Sequence, residues 1–340
     1  MNTLYDALIL VSFGGPEGPD DVMPFLENVL RGRDVPRERM LSVAEHYHQF
    51  GGVSPINQAN GRLISLLEEA LSGREMAYPV YFGNRNWHPM LADTLEQMKR
   101  DGIRRALAIV TSGYSSYSSC RQYKEDLEGA RRAVGVGAPE VDKLRVFFNH
   151  PGFIESMTEC AAGAMEQIDQ GARAGCHLLF TAHSIPQAMA DGCAYAGQIE
   201  EVSRIVSSQL GVDNWRVVYQ SRSGSPQQPW LEPDICDAIR ESAMKGASDI
   251  VVVPVGFISA HMEILFDIDT EARGVCDELG IRMVRADTVG HQPRFIEMLC
   301  ELIRERVHGD PPVAVGNLEA PPLVCAADCC PAGASGGRPG

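Results

Sequence analysis

Apolar and polar positions along this chain follow two alternating rhythms. Short runs such as Val251-Val252-Val253 are continuously apolar and β-branched, as in strands buried on both faces. Longer stretches between them carry the pattern of helices. The runs predict strands over residues 7–13, 79–82, 106–111, 144–148, 177–181, 216–220, 250–255 and 282–286. Helical patterning is clearest over 36–48, 58–71, 90–100, 121–133, 152–170, 199–210 and 293–307. This alternation predicts an α/β fold of mainly parallel sheets, flanked by helices and joined by right-handed crossovers.

The pattern echoes itself weakly. Ile109-Val110-Thr111-Ser112-Gly113-Tyr114 resembles Val252-Val253-Pro254-Val255-Gly256-Phe257, and residues 8–14 resemble 178–184. The expectation is two similar α/β lobes, 1–150 and 151–310, with a cleft between them and a tail over 311–340.

The most informative stretch is 251–271. Pro254 and Gly256 end a strand, and a helix is expected to begin near His261. On that helix Glu263, Asp267 and Glu271 fall at i, i+4 and i+8, so three carboxylates share a face. A solvated acidic surface accounts for such spacing; so does a site that attracts a cation. Ligands of open α/β sheets bind at the carboxyl ends of strands, where this segment lies.

Other strand ends supply further candidates. Ser12-Phe13-Gly14-Gly15-Pro16 is a tight turn with neither the third glycine of a dinucleotide fingerprint nor the Lys-Ser or Lys-Thr of a P-loop. Arg31 and Arg33 are suited to forked binding of carboxylates, or to a helix C-terminus. Ser54 or Asn57 could cap the following helix. The hydroxyl-rich loop 112–120 leads to Tyr123 and lacks a nucleophile elbow. His183 follows another apolar strand. A lone histidine is usually structural, but a second strand-end histidine, His261, two residues before Glu263, strengthens a functional reading.

Bulk properties narrow the class. With 340 residues, 44% hydrophobic content and a net charge of −15, the chain reads as a globular enzyme without a nucleic-acid partner. No apolar run reaches the length of a membrane span, and the first residues do not resemble a signal peptide, so the expected location is cytoplasmic, without stable membrane association. Ten cysteines do not form a disulfide framework, yet Cys325, Cys329 and Cys330 lie within six residues. Such a cluster suits zinc or an iron–sulfur centre and needs a fourth ligand from the body; Cys120, Cys160, Cys176, Cys193, Cys236, Cys276 and Cys300 are all eligible. The last residues, AGASGGRPG, read as disordered.

Together these motifs resemble the ferrochelatases, most closely the bacterial coproporphyrin ferrochelatases that carry a 2Fe-2S cluster. The resemblance rests on 10–16, 50–56, 181–186, Gln220-Ser221-Arg222 with Gly224 and Trp230-Leu231, and Val255-Gly256-Phe257 through His261, Glu263 and Asp269. It spans roughly residues 5 to 310 in family order. It implies two Rossmann-like, chelatase-like lobes around a porphyrin cleft, and insertion of Fe2+ into coproporphyrin III with release of two pyrrole protons.

The resemblance further implies that His183 and Glu263 flank the metal insertion point, with Asp267 and Glu271 as a supporting acidic path. Arg31, Arg33, Ser54 and Tyr123 would meet the substrate. Phe13 stands where relatives carry a tyrosine that contacts the metal; lacking a ligand atom, it keeps only a place over the macrocycle. Coproporphyrin has four propionates against two in protoporphyrin, and the polar cleft favours the former. The family pattern makes Cys160, Cys325, Cys329 and Cys330 the cluster ligands. It also leaves room for transient contact with neighbouring haem-pathway enzymes. The alternatives are a protoporphyrin IX ferrochelatase, a cobalt or nickel chelatase for sirohydrochlorin, a non-catalytic tetrapyrrole or metal carrier, and an iron–sulfur redox sensor.

Overall fold

The structure is a computed structural model and describes residues 4–32, 35–74, 76, 78–225 and 227–333. Arg33 and most of the glycine-rich C-terminal end, 334–340, lie outside the described residues. Two parallel four-stranded sheets dominate. The first contains β1 (Ala7–Ser12), β2 (Val80–Asn84), β3 (Arg105–Val110) and β4 (Glu140–Lys143) in the order β2-β1-β3-β4. The second contains β5 (His177–His183), β6 (Trp215–Gln220), β7 (Asp249–Val253) and β8 (Arg282–Arg285) in the order β6-β5-β7-β8.

The two orders are the same once each sheet is numbered from its own first strand. The segments that echo each other in sequence occupy equivalent places: β1 matches β5, and β3 matches β7. Both central pairs are buried throughout or nearly so, as their β-branched runs require.

Helices α1 (Val22–Val29), α2 (Arg37–Gln49), α3 (Ile56–Ser72), α4 (Leu91–Arg100) and α5 (Gln122–Val134) accompany the first sheet in sequence. Helices α6 (Pro151–Glu166), α7 (Gln187–Ala190), α8 (Tyr195–Leu210), α9 (Ile235–Met244), α10 (Arg273–Leu279) and α11 (Pro293–His308) accompany the second. Among the described residues, no helix is long and apolar enough to cross a membrane.

The fourth strand departs from expectation. Residues 144–148 are apolar and buried, but they form no strand; the amides of Phe147 and Phe148 both donate to the Gly113 carbonyl, which bends the chain away. The ladder uses Glu140–Lys143 instead, a polar segment suited to an edge that pairs only with β3. An apolar run marks a segment as core, and core does not imply strand.

The lobes are not independent. One apolar core runs from Leu8, Leu10 and Leu63 through Phe147, Phe153 and Phe295 to Leu178, Phe180 and Val251. Across the same seam the buried Tyr114 hydroxyl donates to the Val255 carbonyl at 2.9 Å, and His291 Nε2 meets the Ala59 carbonyl at 3.1 Å. Behind this core Arg145 pairs in a two-pronged geometry with Glu305, at 2.8 and 2.9 Å, with the two side chains only 1% and 5% exposed. Losing one partner of such a pair strands a buried charge. Glu305→Leu should therefore destabilise the fold by about 3–5 kcal/mol, and pairing it with Arg145→Met should recover most of the loss, as read by the thermal midpoint.

Candidate active site

The carboxyl ends of β5, β6 and β7 converge on one side of the cleft. Gly256 makes this possible: a Cβ there would sit 2.7 Å from that of Ala182, and its amide donates to the Thr181 carbonyl at 3.1 Å. Glycine is thus required for the chain leaving β7 to pass directly over the end of β5. That passage brings His183 and Glu263 together, with His183 Nε2 3.5 Å from Glu263 Oε1. The His183 Nδ1–H donates to the Ser184 carbonyl, which leaves Nε2 to face the carboxylate.

Asp267 and Glu271 ride on a π-helical segment, Ile264–Ala272, and Glu263 immediately precedes it, in place of the expected α-helix. Its widened turn is visible in Thr270, whose hydroxyl reaches the carbonyl five residues back, Leu265, at 2.9 Å. Such segments are rare and gather at functional sites. The three carboxylates emerge stepwise: Glu263 and Asp267 are half-buried, and Glu271 is exposed. His261 does not face outward as a ligand. Its Nδ1 accepts from the Glu263 amide at 3.2 Å and its ring stacks edge-on against Phe257.

The charges divide sharply. Burial alone would depress the His183 imidazolium, but the facing Glu263 carboxylate overrides it and lifts His183 to about 9. Burial would likewise raise Glu263, and the imidazolium instead holds it down to about 2. Asp267 is pushed up to about 7 by burial and by the negative Glu263, so it exchanges protons near neutrality. Burial also raises Glu271 and lowers His261.

The opposite wall comes from the first sheet. Phe13 follows β1 and meets Phe25 of α1 edge-on at 6.2 Å; Phe25 in turn packs on Tyr47 and Trp87. A Cβ at Gly15 would lie 2.5 Å from that of Ser54, so this glycine lets the two loops close on each other and bury Ser54. Tyr123 is buried rather than open. The Arg85 guanidinium lies 4.4 Å from its ring and 5.8 Å from that of Phe13, anchored to Asp126 at 2.7 Å. Arg31 is exposed beyond α1, 2.5 Å from Asn28 Oδ1.

Two contributors escaped the sequence reading. Arg85 directly follows β2, a strand-end position that marks it as firmly as it marks His183. Tyr47 is identified by its phenol, raised first by burial and then by Glu263 and Asp267, which places it opposite the acidic segment. Its neighbour His46 stacks flat on Phe266, centroids 3.6 Å apart, joining the two walls.

The cysteines divide between core and tail. Cys160 points from α6 into the core, where its thiol bonds to Gln292 and burial pushes it up to about 12. The tail cysteine Cys325 instead meets Cys120, whose thiol is lowered by that hydrogen bond and by Lys143. Arg121 fixes the same stretch of tail by donating to the Cys329 carbonyl at 2.9 Å. Among the described residues, no three His, Cys, Asp or Glu side chains are gathered to hold one metal ion.

The fold is that of a chelatase. Sirohydrochlorin chelatase SirB from Bacillus subtilis subspecies spizizenii, in complex with cobalt, superposes with a TM-score of 0.53 at 11% identity, covering 90% of this chain and 97% of that one. SirB from Bacillus subtilis with Fe3+ gives 0.55 at 10% identity, covering 90% and 98%.

The ferrochelatase family model matches residues 5–307, and the chain belongs to the ferrochelatase family. Ferrochelatase of Rhodopirellula baltica is 54% identical over 329 residues, spanning 96% of this chain and 93% of the relative. Coproporphyrin III ferrochelatase of Streptomyces coelicolor is 48% identical, spanning 96% and 94%. That of Mycolicibacterium smegmatis is 46% identical, spanning 96% and 98%.

The ion pair has a signed consequence. His183 is raised, so its support of the fold is complete below the ordinary histidine value and is lost as pH rises through about 9. Glu263 is lowered, so its support is complete above the ordinary carboxylate value and is lost as pH falls through about 2. In NMR titration, the His183 ring should remain protonated through neutrality with a midpoint near 9. Glu263→Gln should return that midpoint to, or below, the ordinary histidine value; the same midpoint in both proteins would refute the pairing.

Proposed function

We propose that this enzyme inserts Fe2+ into coproporphyrin III, releasing two pyrrole protons and giving Fe-coproporphyrin III for haem biosynthesis. The His183–Glu263 pair at the junction of three strand ends is the observation that carries the chemistry. The named coproporphyrin III relatives support the choice of porphyrin.

Metal insertion needs a path for the cation and a base for the N–H protons. Glu263 is our assignment for the first ligand of iron, since it is held ionised. Fe2+ arriving there cancels the negative charge that keeps His183 protonated. His183 then loses its proton and becomes the base that receives protons from the pyrroles. Asp267, with its value near neutrality, passes those protons toward exposed Glu271. An ion that must be handed on to four pyrrole nitrogens is better served by one or two ligands than by a closed site. Phe13 is our choice for the apolar cover of the macrocycle and exposed Arg31 for its propionates, with buried Ser54 and Tyr123 behind this wall; Arg33, outside the described residues, keeps that assignment on sequence alone.

We also assign a 2Fe-2S cluster to Cys120, Cys325, Cys329 and Cys330. Support comes from proximity: Cys325 hydrogen-bonds to Cys120, and Cys329 and Cys330 lie close enough to this pair to interact with it electrostatically. A bound cluster supplies a redox-active crosslink between tail and body, and no step of metal insertion passes through it.

Two experiments test these assignments. In an anaerobic assay, His183→Ala and Glu263→Gln should each lower Fe2+ insertion at least about 100-fold. Coproporphyrin III should be the preferred substrate. Wild-type turnover in both variants, or preference for protoporphyrin IX, would overturn the corresponding assignment. After anaerobic reconstitution, Cys120→Ser should abolish the visible charge-transfer bands and Cys160→Ser should retain them; the reverse pattern would restore Cys160.

A further inference from the structure

The Gln220-Ser221 pair has no role in the chemistry above, yet it bonds to residues flanking His183, to the Glu263 backbone and to Asp267. β6 ends at Gln220, whose side chain is almost wholly buried at 1% exposure. The Gln220 Nε2 amide donates to the Glu263 carbonyl at 2.9 Å and to Asp267 Oδ2 at 3.3 Å. Its Oε1 accepts from the Thr181 hydroxyl at 2.8 Å, and its backbone carbonyl accepts from the Ser184 amide at 2.8 Å. Thr181 and Ser184 bracket His183. One side chain therefore links the histidine strand to the carboxylate helix. Its orientation is fixed at the carboxylate end, because a flipped amide would face its oxygen toward both the Glu263 carbonyl and Asp267 Oδ2.

Ser221 adds a second tie at a conformational cost. Its φ is 59°, in the left-handed region that residues with a side chain occupy only when their surroundings impose it. That turn directs the Ser221 hydroxyl to donate to Asp267 Oδ2. The segment so held is π-helical, a geometry with poor intrinsic persistence that benefits from an external hold.

We propose that Gln220 and Ser221 are positioning residues that clamp the π-helical segment, and with it Glu263, at its working distance from His183. The clamp rests on the roles assigned above to His183 and Glu263. It acts through backbone and hydrogen-bond placement, touching neither iron nor porphyrin. Misplacement of a reacting group by about 1 Å costs on the order of 100-fold in rate, so a modest loosening should be visible in turnover.

Ser221→Gly separates the backbone from the hydroxyl. Glycine accepts the left-handed conformation more readily than serine, so the thermal midpoint should hold or rise. Loss of the hydroxyl should nevertheless lower kcat for Fe2+ insertion at least about 10-fold, with KM for coproporphyrin III within about twofold. Ser221→Asn, which tolerates the same backbone and retains a donor, should recover part of the rate. Gln220→Met, close in volume but without donors, should lower kcat further. Backbone hydrogen exchange over 264–272 should accelerate in Ser221→Gly and Gln220→Met while β5 and β7 keep their protection.

Wild-type turnover in Ser221→Gly would overturn the proposal. So would unchanged exchange over 264–272. Wild-type turnover in both His183→Ala and Glu263→Gln, with accelerated exchange in the clamp variants, would locate the error in the assigned chemistry instead and reduce the clamp to a structural tie.

Discussion

The attraction between His183 and Glu263 is the interaction around which the site is arranged. Each group is half withdrawn from water, where each charge alone would be unfavourable; together they hold each other ionised. The pair exists only because β5 and β7 are adjacent and because glycine at 256 lets the chain leaving β7 cross the end of β5. Sheet register, loop chemistry and electrostatics thus meet in one contact. Its strength is also its usefulness. An ion that competes for Glu263 changes the protonation of His183 without any large movement of the backbone.

The scaffold makes that economy possible. A continuous apolar core and the Tyr114–Val255 hydrogen bond fix the two lobes at the rear, while His46 on Phe266 joins them at the front. The cleft is consequently lined by elements whose ends are anchored elsewhere. Its aromatic wall, Phe13 with Phe25, Tyr47 and Trp87, contributes shape at little electrostatic cost. The acidic wall contributes charge in a graded series, ending in solvent at Glu271.

Much of this is legible in the sequence because it follows from local pattern. Buried parallel strands have continuous apolar runs, and packing alone gives little reason for His, Glu and Gly to gather at strand ends. The features that escape depend on long-range placement. β4 falls outside its expected stretch because residues 144–148 are core without being strand, a distinction made by the Gly113 carbonyl thirty-odd positions away. Which body cysteine the tail approaches is also set at long range, by its path across Arg121, which brings Cys325 to Cys120. The π-helical register is invisible too, since spacings of four fit both helix types. Arg85 follows a strand end like its more conspicuous counterparts, but its anchor, Asp126, lies on a different helix.

The matching strand orders of the two sheets carry a consequence for how such a molecule divides its labour. Aligning residues 8–14 with 178–184 matches Phe13 to His183, the first just beyond β1 and the second at the last position of β5. The backbone is close to a duplicated object, whereas the side chains at this repeated position are opposites in kind. One is an uncharged aromatic ring and the other an imidazolium paired with a carboxylate. A flat substrate lying between the halves would therefore experience unlike faces from like architecture. The difference between the two faces is thus written at a single pair of equivalent sequence positions.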